Sequence, residues 1–154
     1  LVKPMSIREQ KPFPLFEWCT SIMVILMAFT LAIDPHTIEK SSFRLLLDLG
    51  IPPIVFMLVA AFAGSIRIFA LSANGKIWYS AQLRAIGLAI TAVIWGQLCM
   101  ALVLRTAETG SISLGISIYF VLTVGELFAL YRVFKEAKLI TLLLIERDYA
   151  RRSR

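Results

Sequence analysis

The chain has 154 residues, 58% hydrophobic and 17% charged, with a formal net charge of +6 and a mean hydropathy of +0.79. Soluble domains run at ~45–50% apolar and about 25% charged, and small ones leave much of their surface wet. Water is therefore excluded as the sole solvent, and the same balance excludes disorder. Two cysteines and a single histidine exclude a disulfide scaffold and a histidine-rich metal site.

Residues 1–14 form a basic N-terminal segment carrying Lys3, Arg8 and Lys11. Basic residues ahead of an apolar run look like a secretory leader. No small-x-small cleavage pattern precedes the polar loop, however, so a retained signal anchor is expected. Leu1 is not methionine, and Met5 offers an alternative start.

A helix needs ~20 mainly apolar residues to cross a hydrocarbon core of ~30 Å. Four segments reach that length: 15–33, 52–73, 83–104 and 112–134. Asp34-Pro35 ends the first, because proline disfavours helix at the residue before it. Pro52-Pro53 opens the second, and Asn74-Gly75 supplies its stop. A polar turn, Thr106 to Ser111, separates the third from the fourth. Membrane strands would alternate in polarity over ~10 residues. These runs are longer and apolar all round, so the expected fold is all-α, a bundle of four transmembrane helices over residues 15–134.

Two stretches are too short or too mixed to span. Between spans one and two, Ile38, Phe43, Leu45, Leu46, Leu47 and Leu49 are interleaved with Glu39, Lys40, Arg44 and Asp48. This pattern predicts a short helix lying at the membrane interface. Residues 135–154 form a basic tail with an apolar patch, Leu139 to Ile145, that either prolongs the fourth helix or lies along the membrane surface. Arg151, Arg152 and Arg154 at its end are candidates for contact with anionic lipid headgroups. Nothing in the sequence provides an aromatic–basic platform for nucleic acid.

The basic residues divide unevenly between the two ends of the spans. Lys3, Arg8, Lys11, Arg67, Lys76, Arg84, Arg132, Lys135, Lys138, Arg147, Arg151, Arg152 and Arg154 fall toward one side. Only Lys40, Arg44 and Arg105 fall toward the other. The positive-inside rule then predicts that both termini face the cytoplasm. Trp18, Trp78, Tyr79 and Tyr131 fit aromatic anchors at that interface.

Ionisable groups at membrane depth are candidate functional residues. With a rise of ~1.5 Å per residue, Arg67 lies about 7 Å to the cytoplasmic side of the middle of span two. Glu126 lies roughly 5 Å to the same side in span four. Glu17 and Arg84 sit nearer the cytoplasmic ends of spans one and three. The expected pairing is Arg67 with Glu126, since an unpaired charge at that depth is costly. The pair either sets helix register or serves a proton or ion path, and Arg67 and Arg84 have the alternative of snorkelling. Gln97 lies in the opposite half of span three, positioned to bond another helix or to line a polar lumen. Ala60-x-x-x-Gly64, Ala85-x-x-x-Ala89, Ala92-x-x-x-Gly96 and Gly125-x-x-x-Ala129 allow close helix packing. Cys19 and Cys99 lie toward opposite leaflets, which argues against a disulfide. His36 reads as a solvated loop residue. No phosphate loop, dinucleotide fingerprint, zinc spacing or nucleophile elbow occurs, so no enzymatic activity, cofactor or metal is expected.

Several local strings are familiar in combination: Phe16-Glu17-Trp18, Pro35…Ile38-Glu39-x-Ser41-Ser42-Phe43-Arg44 and Arg67…Ala70-Leu71-x-Ala73-Asn74-Gly75-Lys76. Leu83-Arg84-Ala85, Trp95-Gly96-Gln97 and Gly125-Glu126-Leu127-Phe128-Ala129-Leu130-Tyr131-Arg132 complete the set. Together they resemble small multi-span membrane proteins encoded by bacteriophages and prophages of Gram-negative bacteria, some labelled holin-like. The resemblance covers most of residues 16–132 and implies a bacterial inner membrane. It also implies a pore-former or lysis accessory that self-associates through small-residue faces, with Gln97, Arg67 and Glu126 moving to line a wet interface. Two other readings stand beside it: a structural subunit packed against a larger membrane complex, and a small ion or proton conductor using Glu126.

Overall fold

Hydrocarbon offers no partner to a bare peptide group, so an apolar run of this length closes its own hydrogen bonds as a helix. The computed structural model describes residues 15–34, 36–37, 43–73 and 79–152, with side chains placed as far as Lys138 apart from residues 44–45. Its helices are α1 (Leu15–Ile33), α2 (Arg44–Asp48), α3 (Pro53–Ser72), α4 (Ser80–Thr109) and α5 (Leu114–Arg152). Among the described residues there is no strand, and α1, α3, α4 and α5 are long and apolar enough to cross a membrane. This is an all-α integral membrane fold.

Local chemistry sets the helix ends. Pro52 caps α3 and Pro53 occupies its first turn, where a missing N–H costs nothing. α4 runs further than the polar composition of 106–109 suggests. The hydroxyls of Thr106 and Thr109 bond back to the carbonyls of Leu102 and Arg105, so these residues continue the helix instead of breaking it. Gly110, at φ 71°, then ends it with its N–H on the Thr106 carbonyl. That left-handed conformation is one glycine adopts without penalty. Ser113 receives the N–H of Gly115 on its side chain and starts α5 two residues later than residue 112. α5 then continues unbroken to Arg152, so the tail prolongs the fourth helix. Residues 1–14, the Asn74-Gly75 stop, Lys76 and Trp78 lie outside the described residues.

Each spanning helix packs on the next in chain order, α1 on α3, α3 on α4 and α4 on α5, whereas α1 and α5 touch little. We call the end where α1 begins, α3 ends and α4 begins the near end, and the opposite end the far end. Buried positions recur at helical spacing. On α1 they are Glu17, Thr20, Ser21, Val24, Ala28 and Leu31. On α3 they are Phe56, Ala60, Ala63, Gly64, Arg67, Ala70 and Leu71. Two apolar clusters result. The larger, toward the far end, includes Val24, Leu31, Phe56, Ile94, Trp95 and Leu98, with Trp95 stacked on Tyr119 at 5.9 Å. The smaller, toward the near end, joins α4 to α5 through Ala81, Leu88, Ala129 and Val133.

The segment before α3 departs from a simple interfacial helix. α2 is five residues long, and Phe43 and Leu46 are buried beneath it, Phe43 edge-on to Phe56 at 5.6 Å. Leu47 and Leu49 remain exposed, while Ile38, Glu39 and Lys40 lie outside the described residues. An aromatic ring gains more contacts inside a gap between helix ends than on a surface. The segment therefore plugs the far end of the bundle.

Candidate functional site

Nearer the near end than the larger cluster lies a buried polar layer to which all four spans contribute, its deep part between the two apolar clusters and its rim level with the smaller one. In lipid, apolar residues have little reason to prefer each other over acyl chains, so hydrogen bonds and tight packing carry helix association. This layer supplies both.

Its deep part centres on Arg67 of α3, 1% exposed. Nη1 donates to Glu126 Oε1 of α5 and to Thr91 Oγ1 of α4, both at 2.8 Å. Nη2 donates to Thr20 Oγ1 of α1 at 2.8 Å and to the Glu17 carbonyl at 3.2 Å. The two threonines act as adaptors. Thr20 donates its own proton to the Phe16 carbonyl and Thr91 to the Gly87 carbonyl, leaving each oxygen free to accept from the guanidinium. Gly87 makes room for the side chain: a Cβ there would collide with the Arg67 stem. One guanidinium thus ties together four helices.

The rim, about seven residues or ~10 Å nearer the near end along α4, centres on Glu17, 1% exposed. Arg84 grips its carboxylate side-on, Nη2 to Oε1 at 2.7 Å and Nε to Oε2 at 3.0 Å, the strong two-point geometry of arginine with carboxylate. Arg132 of α5 donates to the same Oε1 at 2.5 Å, and Arg84 Nη1 reaches Glu136 Oε2 at 3.2 Å. Arg132 and Glu136 are 33% and 41% exposed and open the layer to its surroundings. Three arginines face three glutamates, so the layer is neutral as a whole. Phe16 against Gly125, with Glu17 bonded to Arg132, brings α1 to α5 at this end.

The two rim cations differ in weight. Arg132→Gln is expected to cost ~1 kcal/mol or less, because Arg132 is partly exposed and Glu17 keeps its two-point bond to Arg84. Arg84→Gln strips the buried carboxylate of its bidentate partner and is expected to cost several times as much. Thermal unfolding of the two variants side by side in one detergent checks the order.

Glu17, Arg67, Arg84 and Glu126 therefore meet in one network. Gln97 does not join it. It is half-buried and bonds to none of the described residues. At ~100° per residue it is turned by ~120–140° from the stripe that carries Arg84 and Thr91. Arg151 and Arg152 stand in the last turn of α5, past the last placed side chain, and Arg154 lies outside the described residues. Cys19 is exposed, Cys99 is half-buried, and both are free. Thr20, Thr91, Arg132 and Glu136 are members that the sequence reading did not single out. Their signal was spacing: Thr20 follows Glu17 by three residues and Thr91 follows Arg84 by seven, each on the same helix face. No protein-family model, curated protein or solved structure matches this chain.

Proposed function

We propose that this chain is an accessory subunit of a larger assembly in a bacterial inner membrane, a self-contained bundle whose work is done by association rather than by chemistry or conduction. The observation that carries this reading is that the intramembrane charges are consumed inside the bundle, by partners on its own helices.

Three of the four small-residue faces a self-assembling pore would use are also occupied, and Ala89 of the fourth is exposed. Gly64 abuts Ser21 and Ile25, Gly96 abuts Thr123, and Gly125 abuts Phe16. A conductor using Glu126 would need polar groups beyond it, but Val24, Ala28, Ala60, Ile94 and Leu98 pack there instead. The span least covered by the bundle, and so the one with most to offer a partner, is α5. Only 17% of its span is buried, against 50% for α4, and it runs on for 14 residues past Lys138, ~21 Å of helix. The near end is assigned to the cytoplasm, because thirteen of the sixteen basic residues fall toward that side in the sequence. The basic ending Arg151-Arg152-Ser153-Arg154 would meet anionic headgroups there.

Extraction of the full chain from its native membrane in mild detergent should yield a complex with a stoichiometric partner. Induced expression of the chain alone should leave growth and membrane potential intact. An abrupt arrest with collapse of the potential would instead establish the holin-like pore-former and remove the accessory reading.

A further inference from the structure

Two atoms of the deep pair are left over. Arg67 uses its four terminal N–H groups on Thr91, Glu126, Thr20 and the Glu17 carbonyl, yet Nε has no partner among the described residues. Glu126 accepts on Oε1 alone, and its Oε2 is buried and equally without a partner. The two residues are 1% and 0% exposed. A bare donor or acceptor at such a site is costly, and more so when charged, so a ligand that satisfies both atoms is strongly favoured.

Covalent connectivity limits where that ligand sits. Nε and Nη1 belong to one planar guanidinium, Oε1 and Oε2 to one carboxylate, and the groups join at 2.8 Å. Nε–H leaves the guanidinium on the edge shared with Nη2, away from the Nη1 that holds Glu126, so Nε and Oε2 stand on different sides of the group, at most ~7 Å apart, a gap that a linked pair of small hydrogen-bonded molecules bridges at ~2.8 Å per bond. The ligand must accept from Nε–H and donate to Oε2. A cation is repelled by Arg67 and has nothing to give Nε but competition. An anion is repelled by Glu126. A small neutral molecule that is both donor and acceptor remains.

We propose that Arg67 Nε and Glu126 Oε2 form an internal water-binding site within the membrane-spanning bundle. Its water sits between two apolar clusters and exchanges through the rim, because the hydrogen-bonded groups lead that way, to the partly exposed Arg132 and Glu136, and the far side is packed with apolar side chains. The site thus hydrates one side of the bundle without making a path across it.

The test uses the full chain, isotope-labelled and held in lipid nanodiscs. The Arg67 Nε–H resonance, assigned by its disappearance in Arg67→Lys, is expected to show a dipolar cross-peak to water with the sign of a long-lived contact. An assigned resonance with no such cross-peak overturns the proposal. Where Arg67→Lys fails to fold, an experimental structure of the unaltered chain that resolves ordered water decides. Density within hydrogen-bond distance of each of the two atoms supports the site, and a direct Nε–Oε2 bond that satisfies both atoms without water overturns it.

Discussion

Replacing Arg67 with leucine is expected to lower the unfolding free energy of the bundle by ~3–5 kcal/mol, the loss seen when one partner of a buried ion pair is removed. The reason lies in what stays behind. Glu126 is fully buried and accepts its one protein hydrogen bond from Arg67, so the variant keeps a carboxylate with no donor. Thr20 and Thr91 lose their shared partner as well, but they still bond their own helices. The double variant Arg67→Leu/Glu126→Leu should recover most of the loss, because replacing a buried pair by apolar residues is often neutral or stabilising. Reversible unfolding in mixed micelles of the single and double variants measures both. A single variant as stable as the parent would show that the pair does not hold the helices together. Recovery in the double variant would separate the cost of an orphaned charge from the worth of the pair.

Gly87→Ala is expected to destabilise by ~1–3 kcal/mol, the range for overpacking a close contact, although alanine is the better helix former by about 1 kcal/mol. The added methyl would collide with the Arg67 stem, and the stem has nowhere to go while its head is held by bonds to α1, α4 and α5. Gly125→Ala provides the contrast. Its methyl would meet the Phe16 ring, but that ring is 38% exposed at the start of α1 and is free to swing outward. Helix propensity should then leave Gly125→Ala near neutral or slightly stabilising. Melting temperatures of the two variants check the comparison, and equal losses would count against the pinned arginine.

Much of this architecture was legible because a membrane simplifies the code. Four apolar runs of spanning length gave four helices, the first with the bounds 15–33 that its flanking Asp34-Pro35 suggests. Depth was legible too. Counting residues from the span ends places Arg67 and Glu126 at similar heights, and the structure joins them at 2.8 Å. Rotation was harder to read. Gln97 lies among apolar residues like the other polar groups, and only its angle around α4 separates it from Thr91. Threonines are easily passed over, since a hydroxyl that can bond its own helix makes no demand on a neighbour. Burial of Phe43 and Leu46 depends on the gap left between α1, α3 and α4, which composition does not reveal.

α5 contains no proline, and its only glycines, Gly115 and Gly125, both precede Glu126. The 27 residues from Glu126 to Arg152 are thus an unhinged shaft, ~39 Å long. Between the arginine–glutamate network, where Glu126 and Arg132 stand, and the last described turn at Arg152, the helix therefore has neither proline nor glycine at which to bend.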